Sequence, residues 1–139
     1  MAEHRTVPAL FPPPGYAHTV VVEAGERLAF LAGGVPLDAD GKLVGPGDLP
    51  TQTRQVLGNL ETALASVGSS LDRVVASTVY VVADRPEPLS EAWEVVKASA
   101  LSAGPHSSTL LGVTTLGYTG QLVEITVTAV VQDRPAVEG

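Results

Sequence analysis

The sequence predicts an α+β domain with the element order β-β-α-β-α-β-β and two helices on one face of a sheet. Three observations carry this prediction. Apolar residues recur at helical spacing around residues 50–68 and again around 88–103. Segments rich in β-branched residues precede, separate and follow these two stretches. In the last of them, Val123, Ile125, Val127, Ala129 and Val131 alternate with Glu124, Thr126, Thr128 and Val130. Such alternation places one set against the helices and the other on the opposite face of the sheet.

In chain order, HTVVVEAG (18–25) and RLAFLAG (27–33) read as two strands. A turn at Ala24, Gly25 and Glu26 would join them as a hairpin. GVPLDADGKLVGPGDLP follows as a loop, with a turn at Asp40-Gly41 and breakers at Gly45, Pro46 and Gly47. The first helix begins after Asp48, a residue type whose carboxylate caps free backbone N–H groups. Pro50 is tolerated in the first turn, and Val56, Leu57, Leu60, Ala63, Leu64 and Val67 form its apolar face. Gly68 is placed to close it in a left-handed conformation. The next strand, Leu71 to Asp84, is apolar on both sides and so needs cover on both. A second helix is expected from Pro88 to Ala103, with Leu89, Trp93, Val96 and Ala100 in one stripe and Gly104-Pro105 as its stop. SSTLLGVTT and QLVEITVTAVV supply the last two strands.

The 139 residues fit one domain spanning 1–139, with loose ends at Pro12–Pro14 and at Asp133–Gly139. The absence of Cys removes disulfides and thiolate chemistry. A net charge of -7 opposes binding to phosphate backbones, so no nucleic acid partner is expected. No run reaches membrane-spanning length and Met1 to Ala9 lack a signal-peptide core, so a soluble, cytoplasmic chain without membrane contact is expected. His4, His18 and His106 lack metal-site spacing, and no dinucleotide or phosphate loop is present, so neither metal nor cofactor is expected. The polar outer set of the last strand beside the two-sided apolar strand points to symmetric self-association.

The stretch GDLPTQTRQVLGNLETALASVGSSLDRVVASTVYVV resembles the signature helix and strand of the RidA/YjgF family: Gly-Asp, a Gln-Thr-Arg-Gln helix start, an Asn-Leu pair, a closing Gly, and Ser-Leu-Asp before a Val-rich strand. FLAGGVPLDADGKLV resembles the family's earlier strand and loop, and QLVEITVTAVV its final strand, so the similarity covers about residues 15–131. It implies a chorismate-mutase-like fold, a homotrimer around a central barrel, and clefts between subunits. It also implies cofactor-free hydrolysis of enamines and imines, small molecules that yield ketoacids and ammonia. Glu124 matches the family glutamate that holds and activates water, and Tyr16 the family tyrosine loosely, with His18 at a position usually Gln. Gly33 and Ser108 complete the implied binding set. In GPHSST, however, alignment on Pro105 places Ser107 where the family has the Arg that clamps a substrate carboxylate. His106 is then either a proton relay in catalysis or an exposed loop histidine after a helix stop. Three functions follow: a deaminase of shifted specificity, a non-catalytic binder of small metabolites or pathway accessory, or, least supported by the acidic charge, an endoribonuclease or translation inhibitor.

Overall fold

The computed structural model describes residues 2–132; the tail expected from Asp133 to Gly139 lies outside them. The elements are β1 (Glu3–Arg5), β2 (Thr19–Val21), β3 (Arg27–Phe30), α1 (Leu49–Ala65), β4 (Val74–Val82), α2 (Pro86–Lys97), β5 (Ser107–Val113) and β6 (Val123–Val131), with short 3₁₀ turns at Leu71–Arg73 and Ala100–Ser102. β3, β6, β4 and β5 form one sheet in that order. β4 and β5 run parallel, connected through α2, while β6 is antiparallel to both β3 and β4.

The turn at residues 23–26 forms, with Gly25 at φ +88° and Glu26 N–H donating to the Glu23 carbonyl at 3.3 Å. The expected hairpin does not. β2 pairs with β1, a strand absent from the sequence reading, and β3 pairs with β6. A nine-residue β6 would otherwise leave an unpaired edge, and turn chemistry cannot say which distant edge a strand will take.

α1 begins as expected, with Asp48 Oδ1 accepting the Thr51 N–H at 3.1 Å. After its last turn Gly68 adopts φ +74°, which lets Ser69 N–H reach the Leu64 carbonyl at 2.9 Å. Val56, Leu57, Leu60 and Leu64 are buried, but Ala63 and Val67 are exposed. Val67 lies beyond the helix end, so the helical period no longer directs it inward. α2 also differs from its expected span. It begins at Pro86 and breaks at Ala98, because Ser99 Oγ donates back to the Val96 carbonyl at 2.6 Å and accepts the Leu101 N–H at 3.2 Å. Leu101 then enters the core from the separate 3₁₀ turn.

The helices cover one face of the sheet. Val79 and Val81 of β4, with Val123, Ile125, Val127 and Ala129 of β6, are buried in one cluster with the inward residues of α1 and α2. Burying such side chains contributes about 1.5–3 kcal/mol each. On the other face Tyr80, Thr126 and Thr128 are half-exposed, and Phe30 and Leu111 stand 78% and 42% exposed. The two-sided cover expected for β4 is thus present on the helix side alone within one chain. Among the described residues no helix is long and apolar enough to cross a membrane.

Two amides, buried Gln52 and half-buried Asn59, fix the loops that frame the outer face. Gln52 donates to the Gly45 and Gly120 carbonyls, both at 3.1 Å, and accepts the Leu122 N–H at 2.8 Å. Asn59 donates to the Val35 and Leu37 carbonyls at 2.8 and 2.9 Å. The second anchor holds Gly34 in a bridge to Ile125, with its N–H donating to the Ile125 carbonyl at 2.7 Å.

Candidate functional site

Glu124 occupies an outward position of β6, half-buried and directly opposite Tyr80 of β4. Its Oε1 accepts a hydrogen bond from Gln121 Nε2 at 3.1 Å. Gln121 is itself buried, donating also to the Val123 carbonyl at 3.0 Å and accepting the Tyr118 N–H at 3.1 Å. The amide is therefore locked, and it holds one carboxylate oxygen in place. Beside the other oxygen lies Gly33, where an added Cβ would collide with Glu124 Oε2. Glycine here leaves the room that the carboxylate itself occupies. Gly33→Ala should displace Glu124 while costing little stability, because Gly33 has no positive φ and the side chain it meets is not fully buried. The check is any activity lost in Glu124 variants: it should fall in Gly33→Ala while the thermal midpoint stays near wild type.

His106 is fully buried, so it is not an exposed loop histidine. Its Nδ1 lies 3.3 Å from the Gly104 carbonyl, which can only accept, so Nδ1 carries the proton. Nε2 is then an acceptor for the Ser77 hydroxyl at 2.7 Å, and Ser77 Oγ in turn accepts from the Ser108 hydroxyl at 2.8 Å. Burial pushes the His106 pKa below the ordinary histidine value, against a smaller opposing effect of the Gly104 carbonyl. Ser77 was invisible to sequence reasoning because its register with Ser108 exists only once β4 and β5 pair. Gly104 matters here too: an added Cβ would strike the Asp72 carbonyl oxygen, so glycine permits the close approach that brings the loop under the sheet.

Tyr16 stands edge-on to both His18, at 6.2 Å between centroids, and Trp93, at 6.4 Å. His18 accepts the Val7 N–H at Nδ1 (2.8 Å) and therefore donates from Nε2 to the Phe11 carbonyl at 3.0 Å. Both ring nitrogens hold the N-terminal segment in place. Ser107 faces outward, but its hydroxyl donates to the Val75 carbonyl at 3.1 Å.

The residues singled out from sequence thus fall into two groups. Glu124, Gly33 and Ser107 belong to the outer face, whereas His106 and Ser108 lie with Ser77 on the helix side, near Tyr16. Within one chain Ser107 and Glu124 do not meet: Ser107 pairs with Ala76, and Ala76 with Thr128, two strands over from Ser107. Strand spacing and rise put Ser107 and Glu124 roughly 16 Å apart. Among the described residues no group of three His, Asp or Glu side chains could hold a metal ion.

A four-stranded sheet backed by two helices, with an anchored carboxylate on its open face, makes a small α+β domain. Residues 9–131 match the model of the family described as Endoribonuclease L-PSP, and the chain belongs to this YjgF/RidA family. A Rid-family protein of Yersinia pestis, YyfB, described as of unknown function, has a structure similar to this one with TM-score 0.82 and 32% identity, covering 94% of this chain and 98% of that one. A putative endoribonuclease of Thermotoga maritima aligns with TM-score 0.67 and 27% identity over 94% of this chain and 93% of its own. Sequence similarity also reaches the 3-aminoacrylate deaminase RutC of Acinetobacter baylyi, 30% identical over 69 residues, which are 50% of this chain and 55% of that protein. A RutC family protein of Pyrococcus horikoshii is 39% identical over 70 residues, 50% and 55% of the two chains. These alignments span about half the length of the curated relatives.

Proposed function

We propose that this protein hydrolyses an enamine or imine without a cofactor, with Glu124 as the group that holds and activates water. The observation that carries the reading is the anchored carboxylate: one oxygen is held by buried Gln121, and the other lies against Gly33, where only the lack of a side chain leaves room for it. The resemblance of QLVEITVTAVV to the family's final strand supports giving Glu124 this role, and a relative named as a 3-aminoacrylate deaminase supports the reaction class. In the proposed reaction, water bound to Glu124 attacks the carbon of a protonated imine. As the C–O bond forms, a water proton passes to the carboxylate and the C=N π pair moves to nitrogen. The proton then goes to the amine nitrogen and the C–N bond breaks; as ammonia leaves, the carboxylate takes the remaining hydroxyl proton, the carbonyl forms, and that proton passes to ammonia. Water and iminium are thereby converted to ketone and ammonium, with no oxidant or reductant.

The site is proposed to be completed between copies in a homotrimer. Two features support this: the outer residues that the family pattern brings into one cleft are far apart within a chain, and Phe30 and Leu111 expose apolar surface on that same face. Sedimentation should give three times the chain mass, and Phe30→Glu should shift it toward one. A wild-type monomer would remove the inter-subunit cleft from the reading.

Ser107 in place of the family Arg favours a second reading, a binder of small metabolites without turnover. A serine hydroxyl already donating to Val75 offers no charge to a substrate carboxylate. An RNA substrate fits neither the net charge of -7 nor the polar but acidic site. The deciding experiment generates 2-iminopropionate and other amino-acid imines in situ and follows ketoacid release. Release faster than in buffer supports the deaminase; no acceleration with any imine leaves the binder.

A further inference from the structure

Glu124 is a carboxylate whose capacity to accept hydrogen bonds is largely unused. Gln121 supplies one neutral hydrogen bond, and no basic side chain among the described residues pairs with it. A carboxylate offers about four lone-pair sites, so the partner that Glu124 lacks is a cation rich in N–H groups.

The surrounding face supplies no opposite charge. In an antiparallel pair, opposite residues share a face of the sheet, with Cβ atoms about 4.5–5.5 Å apart. Tyr80 of β4 stands in this relation to Glu124, and Leu111 lies beyond Tyr80 on β5. Thr126 and Thr78 make the adjoining row. The remaining outward positions of the four strands are Ala, Ser, Thr, Val, Leu and Phe, so Glu124 is the one charged residue among them. Copies of the chain joined on this face bring the same residues, adding carboxylates and no cation. The basic residues of the described chain lie elsewhere. Arg27 alternates with outward Leu28, and Lys42 sits in an exposed turn. The others are on helices, on the first 3₁₀ turn or beside surface carboxylates.

We infer that the Glu124 site selects a planar nitrogen cation that carries no carboxylate, an iminium of a simple amine or ketone rather than of an amino acid. The inference rests on the role proposed for Glu124 and names the substrate class of that site. The N–H groups of the cation bond to the carboxylate, while Leu111 gives an aliphatic flank and Tyr80 an aromatic one, whose face itself attracts a cation. A substrate carboxylate would meet Glu124 with nothing to offset the repulsion. Tyr80 is thus a specificity-determining residue.

The test compares benzamidinium, benzamide and benzoate, which share a shape and are positive, neutral and negative at neutral pH. The full-length protein is labelled with ¹³C-tyrosine; of its three Tyr ring signals, the one lost in Tyr80→Phe belongs to Tyr80. Benzamidinium should shift that signal saturably and bind about ten- to hundred-fold more tightly than benzamide, the range for hydrogen bonds to a charged group. Benzoate should give no saturable shift. Glu124→Gln should remove the preference for benzamidinium over benzamide. Benzoate bound as tightly as benzamidinium, no response to benzamidinium, or a preference that survives in Glu124→Gln would overturn the inference. Because the readout needs no turnover, a failure to hydrolyse imines counts against the proposed reaction and not against the ligand class.

Discussion

Glu124→Gln is expected to lower imine hydrolysis by about 10²- to 10⁴-fold, the range by which a positioned acid–base group contributes to catalysis. The substitution is close to isosteric. Gln121 Nε2 can still donate to the new amide oxygen, so the local structure and the thermal midpoint should persist. What is lost is the ability to take a proton from water. The fall should therefore appear in kcat with KM little changed, because the carboxylate acts on water rather than on the bound substrate. Glu124→Ala should be as inactive. If Glu124→Gln stays within about two-fold of wild type, the carboxylate does not handle the proton in the limiting step and the proposed mechanism fails. A simultaneous loss of the folded state would point instead to a structural role for the Gln121–Glu124 contact.

His106→Ala is expected to destabilise the protein by about 2–4 kcal/mol, since it opens a cavity and strips a buried hydroxyl of its acceptor. In the native chain His106 Nε2 receives Ser77 and Nδ1 is bonded to Gly104, so both the row of hydroxyls and the loop after the 3₁₀ turn lose an anchor. The histidine also gives stability a pH dependence of definite sign. Burial lowers the folded pKa, so the folded protein holds His106 neutral where the unfolded chain would protonate it. Above the unfolded value of about 6.5 both states are neutral and the stabilising contribution is complete. As pH falls below it, the unfolded chain takes up the proton first, and stability drops by up to about 1.4 kcal/mol per unit until the folded pKa is reached. Urea unfolding at about pH 7.5 and about pH 5 should show a larger drop for wild type than for His106→Gln, whose amide does not titrate. Equal drops in the two proteins would mean that His106 can be protonated without cost in the folded state.

Much of the architecture was legible because it is written in local pattern. Asp48 and Gly68 mark the ends of α1 through hydrogen bonds spanning a few residues. The alternation of β6 places Val123 to Val131 inward and Glu124 outward, since successive strand residues face opposite sides. Glu124 could be singled out as a carboxylate amid Val and Ile. Its support could not: Gln121 and Gly33 come from a preceding loop and a distant segment, and they meet it only through folding.

Where the reading departed from the structure, a long-range contact decided. The turn at Gly25 is real, but β2 and β3 take separate partners from opposite ends of the chain. His106 could be read as an exposed loop histidine after a helix stop, yet it is fully buried, because parallel pairing of β5 with β4 sets Ser77 beside Ser108 and within reach of His106. By itself the sequence determined both helices, the strands other than β1, most of their inward faces and the family to which they belong, since capping, periodicity and side-chain type act over a few residues. Only the tertiary structure decided which strands pair, which polar groups close one another's hydrogen bonds, and on which face each candidate residue works. Those outcomes depend on the mutual placement of segments tens of residues apart, and no local propensity encodes that distance.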